Sequence, residues 1–308
     1  MKSLCVATAK ELSSELQEEL INTENLFNKL QQKDGGFVGR LGETTSDLYY
    51  SFFAIETFKM LEKEKILDHI GLKDFLFSCY DKNGGFGYRK GAYPDIIHTF
   101  CGIGTSIATD NFDDLDCEKI SEFIISLQST EGGFLKDGKS RQPAAYSTFY
   151  GVFSLYLLDK ADLLDKEFLN KTTEFLINLK TPEAGFKASY KSLQPNLVET
   201  TSALFTLYLL DRLSLVDEKQ VVDFVLNCQS NAGFKNHLRS KVTDLNSIFC
   251  AINSLTLLGS LNSISAKKVT DGILNFKTPW GGFGNMGSPD IEYTYYAIYT
   301  MILLSRER

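Results

Sequence analysis

The side chains best equipped for chemistry in this 308-residue chain recur in columns. Asp47, Asp95, Asn196, Asp244 and Asp290 each open an apolar stretch, and Ala144 holds the same place in a sixth. Three positions on stand Tyr50, His98, Ser147, Glu199, Ser247 and Tyr293; seven positions on stand Ala54, Gly102, Gly151, Ala203, Ala251 and Ala297. On a helix these positions share one face. Carboxylates beside tyrosine, histidine and a further carboxylate can move a proton or hold a cation. They can equally do no more than cap a helix: Asp and Asn are favoured there, and Pro94, Pro143, Pro195 and Pro289 precede four of the six openings. The small third column reads either as close helix packing or as room for a ligand.

Bases precede the same openings. Arg40, Arg89, Lys90, Lys136, Lys139, Arg141, Lys187, Lys191, Lys235, Arg239 and Lys241 all lie in the short connections before them. Helix N-termini carry partial positive charge and free N–H groups, so bases gathered beside them suit an anion. The plain alternative is that connections are solvated and therefore charged.

The elements that must position these residues are set by a repeat. A Gly-Gly-Phe or Ala-Gly-Phe triplet begins at Gly35, Gly84, Gly132, Ala184, Ala232 and Gly281, at intervals of 48 to 52 residues. Before each triplet comes an amphipathic segment such as EKISEFIISLQS or EKQVVDFVLNCQS. About ten residues after it comes a segment apolar almost all round, such as AAYSTFYGVFSLYLL or DIEYTYYAIYTMILL. Each repeat therefore predicts an outer helix, a turn and a buried inner helix. The glycines are expected to end the outer helix, where positive φ is needed, and the Phe to tuck back onto the pair. An open stack needs atypical polar end repeats, yet the first and last triplets are as regular as the middle ones. The prediction is a closed all-α toroid, an α6/α6 barrel of six helical hairpins, spanning 1–308 as a single domain. Its parallel inner helices would gather their N-termini, and the bases, at one mouth above an aromatic bore. That arrangement suits a long hydrocarbon carrying a diphosphate.

Composition removes several classes. Hydrophobic residues are 43% and charged residues 23% of the chain, which is globular. Thirty-two basic against thirty-nine acidic residues, a net charge of −7, argue against a general nucleic-acid binder. No apolar run reaches the roughly 18 residues of a membrane span, so the expectation is a cytoplasmic protein that is not transmembrane. Six scattered cysteines without a CxxC pair read as reduced thiols.

The triplet turns and inner helices resemble the protein prenyltransferase beta subunits and their relatives, the squalene-hopene and other class II terpene cyclases. The likeness runs through nearly the whole chain at repeat level. It is sharpest in GGFVGRLGETTSDLYYSFFA and GGFGYRKGAYPDIIHTFCGIGTS, which resemble the two zinc-holding repeats of geranylgeranyl- and farnesyltransferase beta subunits. The resemblance implies a prenyl diphosphate or other isoprenoid ligand, a helical alpha subunit or protein acceptor as partner, and zinc to activate the acceptor thiol. Asp47 and His98 match zinc ligands, Arg40 a diphosphate-binding arginine, and Tyr50 the tyrosine on the same group; Arg89, Lys139 and Arg141 are the further candidates to hold substrate. There are departures. The zinc cysteine is Tyr49, the diphosphate lysine has no counterpart in LGETTS, and Asp290 stands where a diphosphate histidine is expected. Cys101, three residues after His98, reads as a replacement thiolate or as a small buried thiol.

The cyclase relatives place an acid at the start of an inner helix, and PDIEYTYYA from Pro289 is similar in place and outline. Asp290 and Glu292 would form a paired-carboxylate acid, with one pKa pushed up to keep a proton available; Asp47 is a third candidate. The acidic DNFDDLD, Asp110 to Asp116, has the look of a magnesium–diphosphate motif, but it leads into CEKISEFII and reads as an acidic first helical turn. The resemblance leaves three readings open: prenyl transfer, acid-initiated cyclisation, and a non-catalytic toroid that binds a lipid or protein.

Overall fold

The computed structural model describes residues 8–306. A short helix α1 (Ser14–Glu19) precedes six hairpins. Their outer helices are α2 (Thr23–Leu30), α4 (His69–Ser78), α6 (Cys117–Ser126), α8 (Lys166–Leu179), α10 (Glu218–Asn227) and α12 (Ala266–Leu274). Their inner helices are α3 (Leu48–Met60), α5 (Ile96–Ala108), α7 (Ala145–Leu157), α9 (Leu197–Leu209), α11 (Leu245–Leu257) and α13 (Ile291–Ser305). Asp68, Asp116, Asp165, Asp217 and Ser265 cap outer helices through their side chains. Asp116 therefore ends the acidic run as a cap, and Asp114 beside it pairs with Lys73 at 2.7 Å.

The ring closes through one repeated hydrogen bond. The first amide of each inner helix lacks an intrahelical partner. In α3, α5, α7 and α9 it donates to a carbonyl in the following repeat's connection: Leu48 to Tyr88, Ile96 to Lys136, Ala145 to Ala188 and Leu197 to Asn236, at 2.8–3.0 Å. The last repeat makes the same bond to the first, Ile291 N–H to the Gly39 carbonyl at 3.1 Å, and α13 packs on α3. This is the predicted closed α/α toroid.

Phe37, Phe86, Phe134, Phe186, Phe234 and Phe283 are fully buried between the inner and outer layers. In five repeats the Phe amide donates to a hydroxyl four residues past the helix opening: Ser51, Thr99, Thr148, Thr200 and Thr294, at 2.9–3.0 Å. The fifth repeat has Ile248 there, and its turn tightens into a two-stranded ladder, β1 (Gln229–Ser230) and β2 (Gly233–Phe234).

Two expectations change. The triplet glycines do not end the outer helices, which stop several residues earlier; they make the hairpin turn that follows, where the Gly35 amide donates to the Gln32 carbonyl at 2.9 Å. Gly35 (φ +86°) is indispensable there, because a Cβ would stand 2.0 Å from the Gly71 carbonyl carbon on the next outer helix. The small column is packing and not a ligand channel. A Cβ on Gly102 would lie 2.5 Å from the Phe86 ring, and one on Gly151 would lie 2.8 Å from Phe134. The column faces the triplet phenylalanines, away from the axis.

Candidate functional site

Capping consumes most of the opening column. Asp47, Asp95, Asn196, Asp244 and Asp290 each accept from backbone amides of their own helix. Ala144 cannot, and Glu199 of the next repeat substitutes for it, its Oε2 accepting the Tyr146 amide at 2.9 Å. Burial pushes the Glu199 carboxyl up to about 7, with that amide bond acting the other way.

At the mouth, Asp290 is fully committed. Its Oδ1 accepts the Glu292 and Tyr293 amides, and its Oδ2 accepts Arg40 Nε at 2.7 Å. Tyr50 joins them, its ring lying against Gly39 and its phenol pushed up to about 12 by burial and then by Asp290. Arg40, Asp290 and Tyr50 thus come together where the first and last repeats meet. Arg40 uses Nε on Asp290, but its side chain is 53% exposed, so its other donors stay available. Arg89 lies over the Tyr88 ring at 5.0 Å, Lys139 lies over Tyr93 at 4.7 Å, and Arg141 is exposed. Among the described residues, no hydrogen bond or ion pair joins these three to Arg40 or Asp290.

His98 sits between two carboxylates. Its Nδ1 is 2.8 Å from Asp95 Oδ2 and its Nε2 is 3.5 Å from Asp47 Oδ1. Burial opposes the charged ring, but the hydrogen bonds and charges of Asp47 and Asp95 outweigh it and raise the imidazole to about 9. Folding therefore gains from this contact while the ring is charged. The gain is complete below the unfolded value near 6.5 and is lost as pH rises through about 9. We expect urea unfolding to show a loss on the order of 2–3 kcal/mol between pH 6 and 10 from this group, absent in His98→Gln. An equal slope in both proteins would remove His98 as its source.

The zinc expectation on Asp47 and His98 finds no third donor. The ring nitrogen nearest Asp47 faces an oxygen that already accepts the Tyr49 amide at 2.8 Å, and the Tyr49 phenol is bonded elsewhere. Cys101 is buried, and that burial pushes its thiol well up, away from thiolate. Among the described residues no group of three or more His, Cys, Asp or Glu is placed to hold a metal. The donor set does not fit a three-ligand zinc site. Cys79, Cys101, Cys117, Cys228 and Cys250 are free thiols, and Cys5 lies outside the described residues.

The PDIEYTYYA resemblance singles out Glu292 with Asp290, but the tyrosines that gather around Glu292 form no motif in the sequence. Two residues into α3, α7 and α13 stand Tyr49, Tyr146 and Glu292, a register the capping columns skip. Tyr49 and Tyr296 both donate to Glu292 Oε1, at 2.7 and 2.8 Å. Tyr146 reaches Tyr49 from a non-adjacent helix, so these side chains lie across the axis. Tyr150 donates to the Tyr146 oxygen at 3.1 Å and extends the network. Burial raises the Glu292 carboxyl, partly offset by the two phenols. Both phenols donate to the same oxygen, which leaves Oε2 without a bond from either. Below, Phe53, Phe249, Tyr295 and Tyr299 pack ring against ring at 4.9–6.1 Å, and the last three are only half-buried although interior. They form an aromatic cluster on the inner helices, one to two turns past the carboxyl.

The beta subunit of geranylgeranyl transferase type-1 from Arabidopsis thaliana is 34% identical over 94 residues, 30% of this chain and 25% of that protein. Other beta subunits that match are likewise covered over less than half their length. Among solved structures, Candida albicans protein geranylgeranyltransferase-I, complexed with GGPP, superposes with a TM-score of 0.73 at 17% identity, covering 96% of this chain and 88% of that one. The type II terpene cyclase MstE from Scytonema, as its R337A variant with geranylgeranyl dihydroxybenzoate, gives 0.68 at 9% identity, covering 97% and 99%. At these identities the likeness is one of fold. The family model described as the prenyltransferase alpha-alpha toroid domain matches residues 2–107, 100–169 and 139–308. With its six closed hairpins and matches along almost its whole length, the chain belongs to the prenyltransferase alpha-alpha toroid family.

Proposed function

We propose that this chain is an isoprenoid-handling enzyme that holds a prenyl chain in its aromatic lumen and starts its rearrangement with a proton from Glu292. The observation that carries this is the Glu292 carboxyl on the axis, with Oε1 held by Tyr49 and Tyr296 and its pKa raised by burial. A neutral acid with one oxygen anchored presents its O–H in a fixed direction. Protonating an alkene leaves a tertiary cation, which the faces of Phe53, Phe249, Tyr295 and Tyr296 would stabilise. An alkene π pair closes the ring, a proton returns at the end, and the product is an isomer of the substrate. Arg40, beside Tyr50 at the mouth, would hold a diphosphate head through its free donors.

Prenyl transfer to an acceptor is the second reading, favoured by the identity shared with beta subunits. Those relatives are subunits by name, so an alpha subunit or protein acceptor belongs to this reading. Incubating the protein with farnesyl and geranylgeranyl diphosphate, with and without a thiol peptide, separates the two by mass. A cyclic isomer formed without peptide supports the first, and a prenylated peptide supports the second. No product in either arm, with prenyl diphosphate still bound, leaves a binding toroid. In the same assay Arg40→Ala should weaken prenyl-diphosphate binding by about 1.5–3 kcal/mol, as expected for a charge-assisted bond. Unchanged affinity would remove Arg40 from the site.

A further inference from the structure

The rim around the mouth is unlike the rest of the surface. Between each triplet and its capping residue the six connections carry eleven Lys and Arg against two acids, Glu43 and Asp137, in a protein whose net charge is −7. Both acids bind amides of their own loops: Glu43 those of Gly39 and Arg40, and Asp137 those of Lys139 and Ser140. The same connections expose Leu41, Tyr93, Tyr190, Leu193, Leu238 and Val242, with Leu193 99% and Val242 69% accessible. These come from four of the six connections, and the parallel inner helices bring all of them to one end of the toroid. Set among so many bases, these exposed apolar side chains mark an interaction surface.

We infer that this rim docks the toroid, mouth down, on an anionic lipid bilayer. The bases match a negative surface, and the apolar residues supply the second signal that stable interfacial binding needs. The apolar residues stand singly or in pairs on separate loops around a ring. That arrangement meets a flat, fluid surface, whereas a protein partner is met by one contiguous patch. The docked orientation sets the lumen opening against the phase in which an isoprenoid chain dissolves. This last point rests on the function proposed above, but the docking itself is measured with lipid alone.

Co-sedimentation with vesicles tests it. At low salt the full chain should bind phosphatidylcholine vesicles containing about one-third phosphatidylserine roughly tenfold more tightly than pure phosphatidylcholine, and lose most of that preference at high salt. Leu193→Ser with Val242→Ser, and separately Arg239→Glu with Lys241→Glu, should each reduce binding about tenfold while circular dichroism and the unfolding midpoint stay unchanged. Leu215→Glu, at the opposite end, should change nothing. Equal binding to both lipids, equal loss in all three variants, no loss in the rim variants, or binding to soluble polyglutamate in place of vesicles overturns the inference; the last outcome assigns the rim to an acidic protein. Binding of a short, water-soluble prenyl diphosphate without vesicles should be the same in wild type and rim variants. Absence of that binding with vesicle docking intact sinks only the proposed function.

Discussion

Glu292→Gln should cost the isoprenoid reaction roughly 10²–10⁴-fold in turnover while the toroid stays folded, because the amide keeps the shape and loses only the transferable proton. The structure makes this a clean substitution. The phenols of Tyr49 and Tyr296 donate to Oε1, and the carboxamide oxygen can accept both. Glu292→Ala would instead leave two buried phenols unpartnered and confuse chemistry with stability. Wild-type activity should fall as pH rises through the elevated Glu292 pKa, since the neutral form is the donor. Tyr49→Phe is the companion test. Loss of that hydrogen bond should raise the pKa further and move the falling limb to higher pH, whereas a purely structural Tyr49 would leave the limb in place. Full turnover in Glu292→Gln would sink the acid role.

The largest stability loss is expected from the triplet phenylalanines. Phe86 is fully buried, packs against Gly102 on α5, and lies 5.1 Å from the Tyr80 ring. Phe86→Ala removes a fully buried ring that lies tight against the α5 backbone at Gly102, so about 3–5 kcal/mol should be lost. Phe86→Leu should lose less, as it fills more of the space. Gly102→Ala should be comparably harmful for the opposite reason, since the added methyl meets that ring at 2.5 Å. Urea midpoints for the three variants check the order, and a Phe86→Ala midpoint within error of wild type would show that the layer between helices repacks freely.

The period of about 49 residues, the twelve helices and the closed ring were legible in the sequence, because local pattern decides them. Amphipathic and wholly apolar stretches alternate, turn glycines recur, and neither end repeat is built as a cap. Helix capping by the Asp and Asn column was legible for the same reason: a cap interacts within four residues of itself. The axis was not. Two residues of register separate the capping column from the one that carries Tyr49, Tyr146 and Glu292, and in sequence both are only small, aromatic or acidic residues on apolar helices. Only closure brings Tyr49 from the first repeat, Tyr146 from the third and Glu292 from the sixth to one point. Only the fold separates Asp290, bound by Arg40 and its own amides, from Glu292 two residues away, whose carboxyl pKa is raised by desolvation. Desolvation is a property of everything packed around a group, so a carboxyl's protonation state belongs to the tertiary structure and not to its neighbours in sequence.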